Sequence, residues 1–141
     1  LSNQACINQD IAKAISQAIY SVDRSLILLA PACSQLEYEG RKAGLPIALE
    51  IFADRTYDSD GQLSSRSIPG SVIHEPQVCL QHIKVMLEKG GIVSTNGHLI
   101  KTPIHSICVH GDNPNSVKSA KLIHEYLAKH YQLVSLVDLF T

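Results

Sequence analysis

A chain of 141 residues is one ordinary domain's worth and is long enough to bury a core. Its 45% hydrophobic and 18% charged residues fit a globular protein rather than a disordered one. A net charge of −1 gives no general attraction to nucleic acid or anionic lipid, and the absence of Trp leaves no evident stacking platform for bases. No apolar run approaches the roughly 18 residues of a membrane span, and no secretory signal is visible. Cys6, Cys33, Cys79 and Cys108 are widely spread without a Cys-x-x-Cys pair, so neither a zinc knuckle nor a thioredoxin motif is supported. Buried, reduced thiols and a cytoplasmic location are the expectation.

In chain order, Ile7, Ile11, Ala14, Ile15, Ala18 and Ile19 recur at helical spacing and predict an amphipathic helix to about Ser21. Ser25 to Ala30 reads as a short buried strand stopped by Pro31. Cys33 to Ala43 reads as a helix with Gly44 at its C-terminal cap. Ile47 to Ala53 is almost entirely apolar, the pattern of a strand buried on both faces.

A carboxylate, Glu50, stands inside that run, where ionisation costs several kcal/mol, roughly, unless a cation or hydrogen bonds compensate it. The strand opens into Asp54 and Arg55, followed by a connection of about 20 residues that Arg66 and Pro69-Gly70 close. Most strand-to-helix connections are far shorter, so this one reads as a binding loop or lid.

Pro76 suits the first turn of a helix with an inner stripe of Cys79, Ile83, Met86 and Leu87, ended by Gly90-Gly91. Ile92–Thr95 and His98–Lys101, joined by Asn96-Gly97, read as a hairpin with a type I′ turn. Ile104 to His110 is a second buried strand. Asn113 caps a last helix with Pro114 at its first position, and Val117, Ala120, Ile123 and Leu127 form its stripe. Gln132 to Leu136 reads as a final short strand. Alternating strands and helices predict a mostly parallel α/β sheet with right-handed crossovers. The pattern alone does not separate an open doubly wound sheet from a barrel.

Strand side chains alternate, so Glu50 and Asp54 share a face, as do Cys108 and His110 on theirs. Glu50 and Asp54 lie roughly 13 Å apart along an ideal strand, too far for one carboxylate dyad. Both faces are expected at the C-terminal mouth of the sheet, where βα folds place their sites. His110-Gly111-Asp112 joins a strand end to a helix start. Free amides there favour an anion, and Gly111 admits close approach. His110 is a candidate base or oxyanion donor. The alternative is a structural His, with Asp112 only assisting the turn. Arg55 and Arg66 are candidates for holding carboxylate or phosphoryl oxygens, the alternative for Arg55 being an internal ion pair. The remaining histidines, His82 among them, have no ligand spacing and read as surface or structural. No Walker or nucleophile-elbow motif occurs.

These residues also carry a resemblance. Phe52-Ala53-Asp54-Arg55, Tyr57, Asp60-Gly61, Leu63, Arg66-Ser67 and Pro69-Gly70 resemble the central motif of the LamB/YcsF family. Cys108-Val109-His110-Gly111-Asp112 is similar to its hydrophobic-His-Gly-Asp signature. The resemblance runs over essentially the whole chain. It lacks the family's N-terminal Asp-rich strand motif and its Gly-Phe-His-Ala-Gly-Asp and Lys-Pro-His-Gly segments. The opening Leu1-Ser2-Asn3-Gln4-Ala5 resembles the residues that follow Lys-Pro-His-Gly.

The resemblance implies that residues 1–141 form a single α/β unit, the C-terminal half of an irregular β/α barrel of the glycoside hydrolase/deacetylase type. The missing half would be present as a separate piece, or a second copy would pair with this one, or the fragment would rearrange. It implies one component of a 5-oxoprolinase, which opens the lactam of 5-oxo-L-proline to L-glutamate with ATP, the nucleotide carrying Mg2+ as its divalent counter-ion. Two further subunits would complete the enzyme. His110, Asp54 and Glu50 would be catalytic, and Arg55, Arg66, Gly111 and Asp112 would bind substrate or phosphate. Two other readings stand beside it. One is a metal-dependent hydrolase of an amide or acetylated sugar. The other is a non-catalytic flavodoxin-like regulatory domain, against which convergence of Arg55, Arg66 and His110 on one pocket would argue.

Overall fold

The structure, a computed structural model, describes residues 2–140. The first predicted helix is two: α1 (Ser2–Ile7) and α2 (Gln9–Val22). Asn8 breaks them. Its backbone is extended, and its side chain accepts from the Ile11 amide at 3.1 Å, capping α2. Strand β1 (Leu28–Pro31) leads to α3 (Gln35–Lys42), whose N-cap Ser34 accepts from the Glu37 amide. Strand β2 is Ile47–Phe52. The long connection ends at α4 (Pro76–Lys89), which begins on its proline as the sequence predicts and stops on left-handed Gly90. The hairpin of β3 (Gly91–Val93) and β4 (Leu99–Lys101) follows, then β5 (Ser106–Cys108), α5 (Ser116–His130) and a 3₁₀ turn (Val137–Leu139).

The three strands β1, β2 and β5 form a parallel sheet with β2 in the centre, as expected of an α/β chain. In register, Glu50 stands opposite Pro31 and Ser106, and Phe52 opposite Cys108. Leu28, Ala30, Ile47, Leu49 and Ile51 share one face. They are buried with Leu36 of α3, Cys79, Ile83 and Met86 of α4, and Ile123 of α5. Burying a side chain the size of Ile51 stabilises the fold by about 1.5–3 kcal/mol. The opposite face carries Leu29, Pro31, Ala48, Glu50 and Phe52 and is only partly covered. The four cysteines are free thiols. Among the described residues, no helix is long and apolar enough to cross a membrane.

Three local expectations are corrected. The hairpin turn is not type I′, because only Gly97, not Asn96, has a positive φ (80°). The Gly97 amide instead donates to Ser94 O, and the Ser94 amide to His98 O. This is a three-residue loop with glycine in the left-handed position. Helix α5 starts at Ser116 rather than at Pro114, because the Asn113 side chain is taken by the Asn115 amide at 2.9 Å in a tight local turn. The helix start therefore lies well beyond His110-Gly111, and its dipole does not bear on them as expected. Residues 132–136 form no strand; they lie along the surface with Leu133 and Val134 exposed.

Candidate active site

The connection after β2 is folded back on itself rather than loose. Isolated antiparallel bridges join Arg55 to Val72 and Tyr57 to Leu63. The Thr56 amide donates to Ser71 O, and the Ser64 amide to Thr56 O. The Gln62 side chain donates to Cys33 O at 2.6 Å, tying the loop to the end of β1. Cys33 has the left-handed φ of 65°, an uncommon conformation for a non-glycine residue. The buried Tyr57 hydroxyl accepts from the Phe52 amide at 2.8 Å, and the Thr95 amide of the hairpin loop donates to Tyr57 O. Burial pushes the Tyr57 phenol upward, which keeps it a neutral structural group.

This loop and the partly covered sheet face enclose a cavity of about 410 Å3. Pro31, Glu50 and Phe52 line it from the strands. Arg55, Tyr57, Leu63, Ser64 and Arg66 line it from the loop, and Cys6 and Ile7 from α1. Sequence reasoning named Glu50, Arg55 and Arg66 but missed the α1 wall and Ser64.

Arg55 is 5% exposed. Its Nη2 donates to Ser64 O at 2.6 Å, and its carbonyl pairs with the His82 Nε2 at 3.0 Å. Ser64 is fixed in turn by its hydroxyl, which donates to Asp58 at 2.6 Å. Among the described residues, no carboxylate lies within ion-pair distance of the Arg55 guanidinium, and its Nε has no partner. The internal ion pair is therefore not what holds it. Burial depresses its pKa, with the Arg66 charge adding to this and the charges of Asp54 and Asp112 opposing it. His82, half-buried and stacked on Tyr57, is the structural histidine the sequence reading expects.

Asp54 and His110 meet although 56 residues separate them in the chain. Asp54, with a side chain only 5% exposed, approaches His110 Nδ1 at 2.8 and 3.0 Å. The His110 amide donates to the same carboxylate at 3.3 Å. A carboxylate only accepts, so Nδ1 carries the proton and Nε2 is left with its lone pair. His110 stacks on Phe52, a cavity wall, with ring centroids 5.5 Å apart. Burial raises the pKa of Glu50, against the opposing pull of His110. The Cys108 thiol is pushed up to about 11 by burial and by the Glu50 and Asp54 charges, so it is no thiolate nucleophile at neutral pH.

Arg66 and Asp112 are exposed at 49% and 63% and pair with each other at 3.3 Å. Gly111 has open space where a Cβ would stand, so the backbone there is approachable. Of the seven residues singled out, Glu50, Arg55 and Arg66 line the cavity. Asp54 and His110 stand beside it, Asp112 reaches it through Arg66, and Gly111 lies between.

Hydrogen-bonded Asp-His beside a raised-pKa Glu and a buried Arg is the chemistry of a polar-substrate site at the C-terminal end of a parallel sheet. Residues 1–139 match the LamB/YcsF family, and the chain belongs to that family. It is 47% identical over 140 residues to a protein from Azoarcus sp. named as a 5-oxoprolinase subunit, covering 99% of this chain and 55% of that one. A protein of the same name from Alkaliphilus metalliredigens is 40% identical, over 96% of this chain and 54% of its own. Among solved structures, the lactam utilization protein from Thermus thermophilus superposes with a TM-score of 0.78 at 32% identity, covering 89% of this chain and 50% of that one. The chain thus spans about half the length of the curated relatives it matches.

Proposed function

We propose that this chain supplies part of the active site of an ATP-dependent 5-oxoprolinase, which opens 5-oxo-L-proline to L-glutamate together with two further subunits. The relatives' names support a 5-oxoprolinase-related role, and their designation as one subunit of that enzyme supports partners. The observation that carries the reading is the buried Arg55 guanidinium, held at Nη2 by Ser64 O and without a carboxylate, on a cavity walled by Phe52, Pro31 and Leu63. A planar cationic fork in an apolar pocket suits a small ring that bears a carboxylate.

A lactam is a poor electrophile. Bound ATP would supply the activation as phosphoryl transfer to the lactam oxygen; water addition, departure of the ring nitrogen and hydrolysis of the remaining acyl phosphate would then give glutamate, ADP and phosphate. In this scheme Arg55 binds carboxylate or phosphoryl oxygens. His110 takes the proton of the attacking water at Nε2, Asp54 stabilises the imidazolium that results, and Glu50 holds or returns a proton. The two arginines that line the cavity suit polyphosphate oxygens, with the approachable backbone of Gly111 outside the lining. Among the described residues no group of three or more His, Cys, Asp or Glu could hold a metal ion, so Mg2+ would be held chiefly by the nucleotide's phosphates. Arg55 and Arg66 share the cavity and His110 packs against its wall, which favours an enzyme over a regulatory scaffold.

The test is glutamate formation from 5-oxoproline and ATP by the complete assembly, with this component either wild-type or Arg55→Lys. Turnover that is absent from the wild-type assembly, or indifferent to the substitution, overturns the proposal.

A further inference from the structure

Two arginines line one cavity, and the fold treats them oppositely. Arg55 is buried and its guanidinium is held by a backbone carbonyl, so its charge is permanently directed at the site. Arg66 is half-exposed and its Nη1 rests on Asp112 Oδ2 through one long contact of 3.3 Å. That contact joins the loop after β2 to the loop after β5. It is neither bidentate nor desolvated, the kind of pair that contributes little to stability and is readily exchanged. The three charges feel one another: the Arg66 charge depresses Arg55, and the Arg66 hydrogen bond holds the Asp112 carboxyl below its usual range.

We propose that Asp112 is a built-in competitor for Arg66 that sets the charge the cavity accepts. With Arg66 on Asp112, Arg55 is the one arginine of the cavity left without an ion-pair partner, Glu50 sharing the same lining, and the cavity takes no more than a monoanion. A phosphoryl group carries a second negative charge, repels Asp112 and draws Arg66 away from it, so that both guanidinium groups close on the ligand. Asp112, read from the sequence as a binding residue, is by this account a selector that need not touch the ligand. The inference deepens the proposed function by assigning phosphoryl recognition to a displaceable ion pair, and it rests on that reading for the site alone.

The experiment is calorimetric titration of the full protein with pyrophosphate, and with acetate as the monoanion, at low ionic strength. Wild type, Asp112→Asn, Arg66→Gln and the double variant are compared; both positions are exposed, so the fold is not at stake. Asp112→Asn is expected to tighten pyrophosphate about three- to fivefold and to change acetate less than about twofold. Arg66→Gln weakens pyrophosphate, and adding Asp112→Asn to it gives no further gain. A gain that persists in the Arg66→Gln background would show only a general field effect and overturn the proposal. So would an unchanged Asp112→Asn, or no pyrophosphate binding to any variant at millimolar concentration. The cycle reads binding alone, so its failure is separate from a failure of turnover in the Arg55→Lys assembly.

Discussion

Replacing Arg55 with Lys keeps the charge and removes the fork. In the structure one arm of that fork, Nη2, is committed to Ser64 O at 2.6 Å, while Nε is unpartnered. A lysine ammonium is a single point. It can stay on Ser64 O or move to a ligand oxygen, but it cannot do both with the arginine's geometry. A hydrogen bond to a charged group contributes about 1.5–3 kcal/mol. Losing one such contact in the bound complex, about 2–3 kcal/mol, lowers kcat/KM roughly 30- to 150-fold. The assay is steady-state glutamate formation by the assembled subunits, alongside a melting curve of the variant. The expected result is a large fall in kcat/KM with a modest change in Tm. Unchanged kinetics with a lowered Tm would refute the reasoning and make the Arg55 side chain a brace on Ser64.

Four further outcomes are expected. His110→Gln, which keeps a donor but cannot accept a proton at neutral pH, loses about 100-fold or more in kcat while the fold is retained. Asp54→Asn lowers kcat as well, because the imidazolium formed in the reaction loses its counter-charge; a full-rate His110→Gln would return the pair to a packing role. Burial raises the Glu50 pKa in the folded state, so its ionised form opposes folding: the contribution is favourable below the unfolded value of about 4.3 and is lost as pH rises through the folded pKa. Glu50→Gln should therefore raise Tm at pH 7 and lose that advantage towards pH 4, and a pH-independent difference would contradict the burial argument. Finally, this chain by itself should form no glutamate from 5-oxoproline and ATP; measurable turnover without partner subunits would refute the expectation that it supplies only part of a site.

Much of the fold is legible because local chemistry and tertiary position agree. The Ile47–Phe52 run is apolar because β2 is the central strand, and Pro76 and Gly90 mark α4 because their backbone limits match its two ends. Legibility fails where two local solutions compete. Asn113-Pro114 suits a helix start equally well, but the Asn113 side chain closes a turn two residues on and postpones the helix. Asn96-Gly97 suits a type I′ turn, but a left-handed Gly97 alone is enough for the longer loop. Leu133 and Val134 favour a strand by propensity, yet no neighbouring strand pairs with them. In the site, each charged residue stands out by type, but their partners do not. The acceptor for Arg55 is the carbonyl of Ser64, which no side-chain pattern announces, and Cys6 and Ile7 enter the cavity only through the placement of α1.

The register of β2 and β5 carries one more consequence. Asp54 and His110 each lie two residues beyond the aligned pair Phe52 and Cys108, so the sheet acts as a ruler that measures the two side chains into contact. Strand pairing and proton handling are then a single alignment. Removing one residue from β5 would leave strands that can still pair, yet would turn the imidazole to the opposite side of the sheet. Length changes in this strand should therefore be far less tolerated than at the exposed Asn96-Gly97 tip of the hairpin, which makes no hydrogen bond to Asp54 or His110.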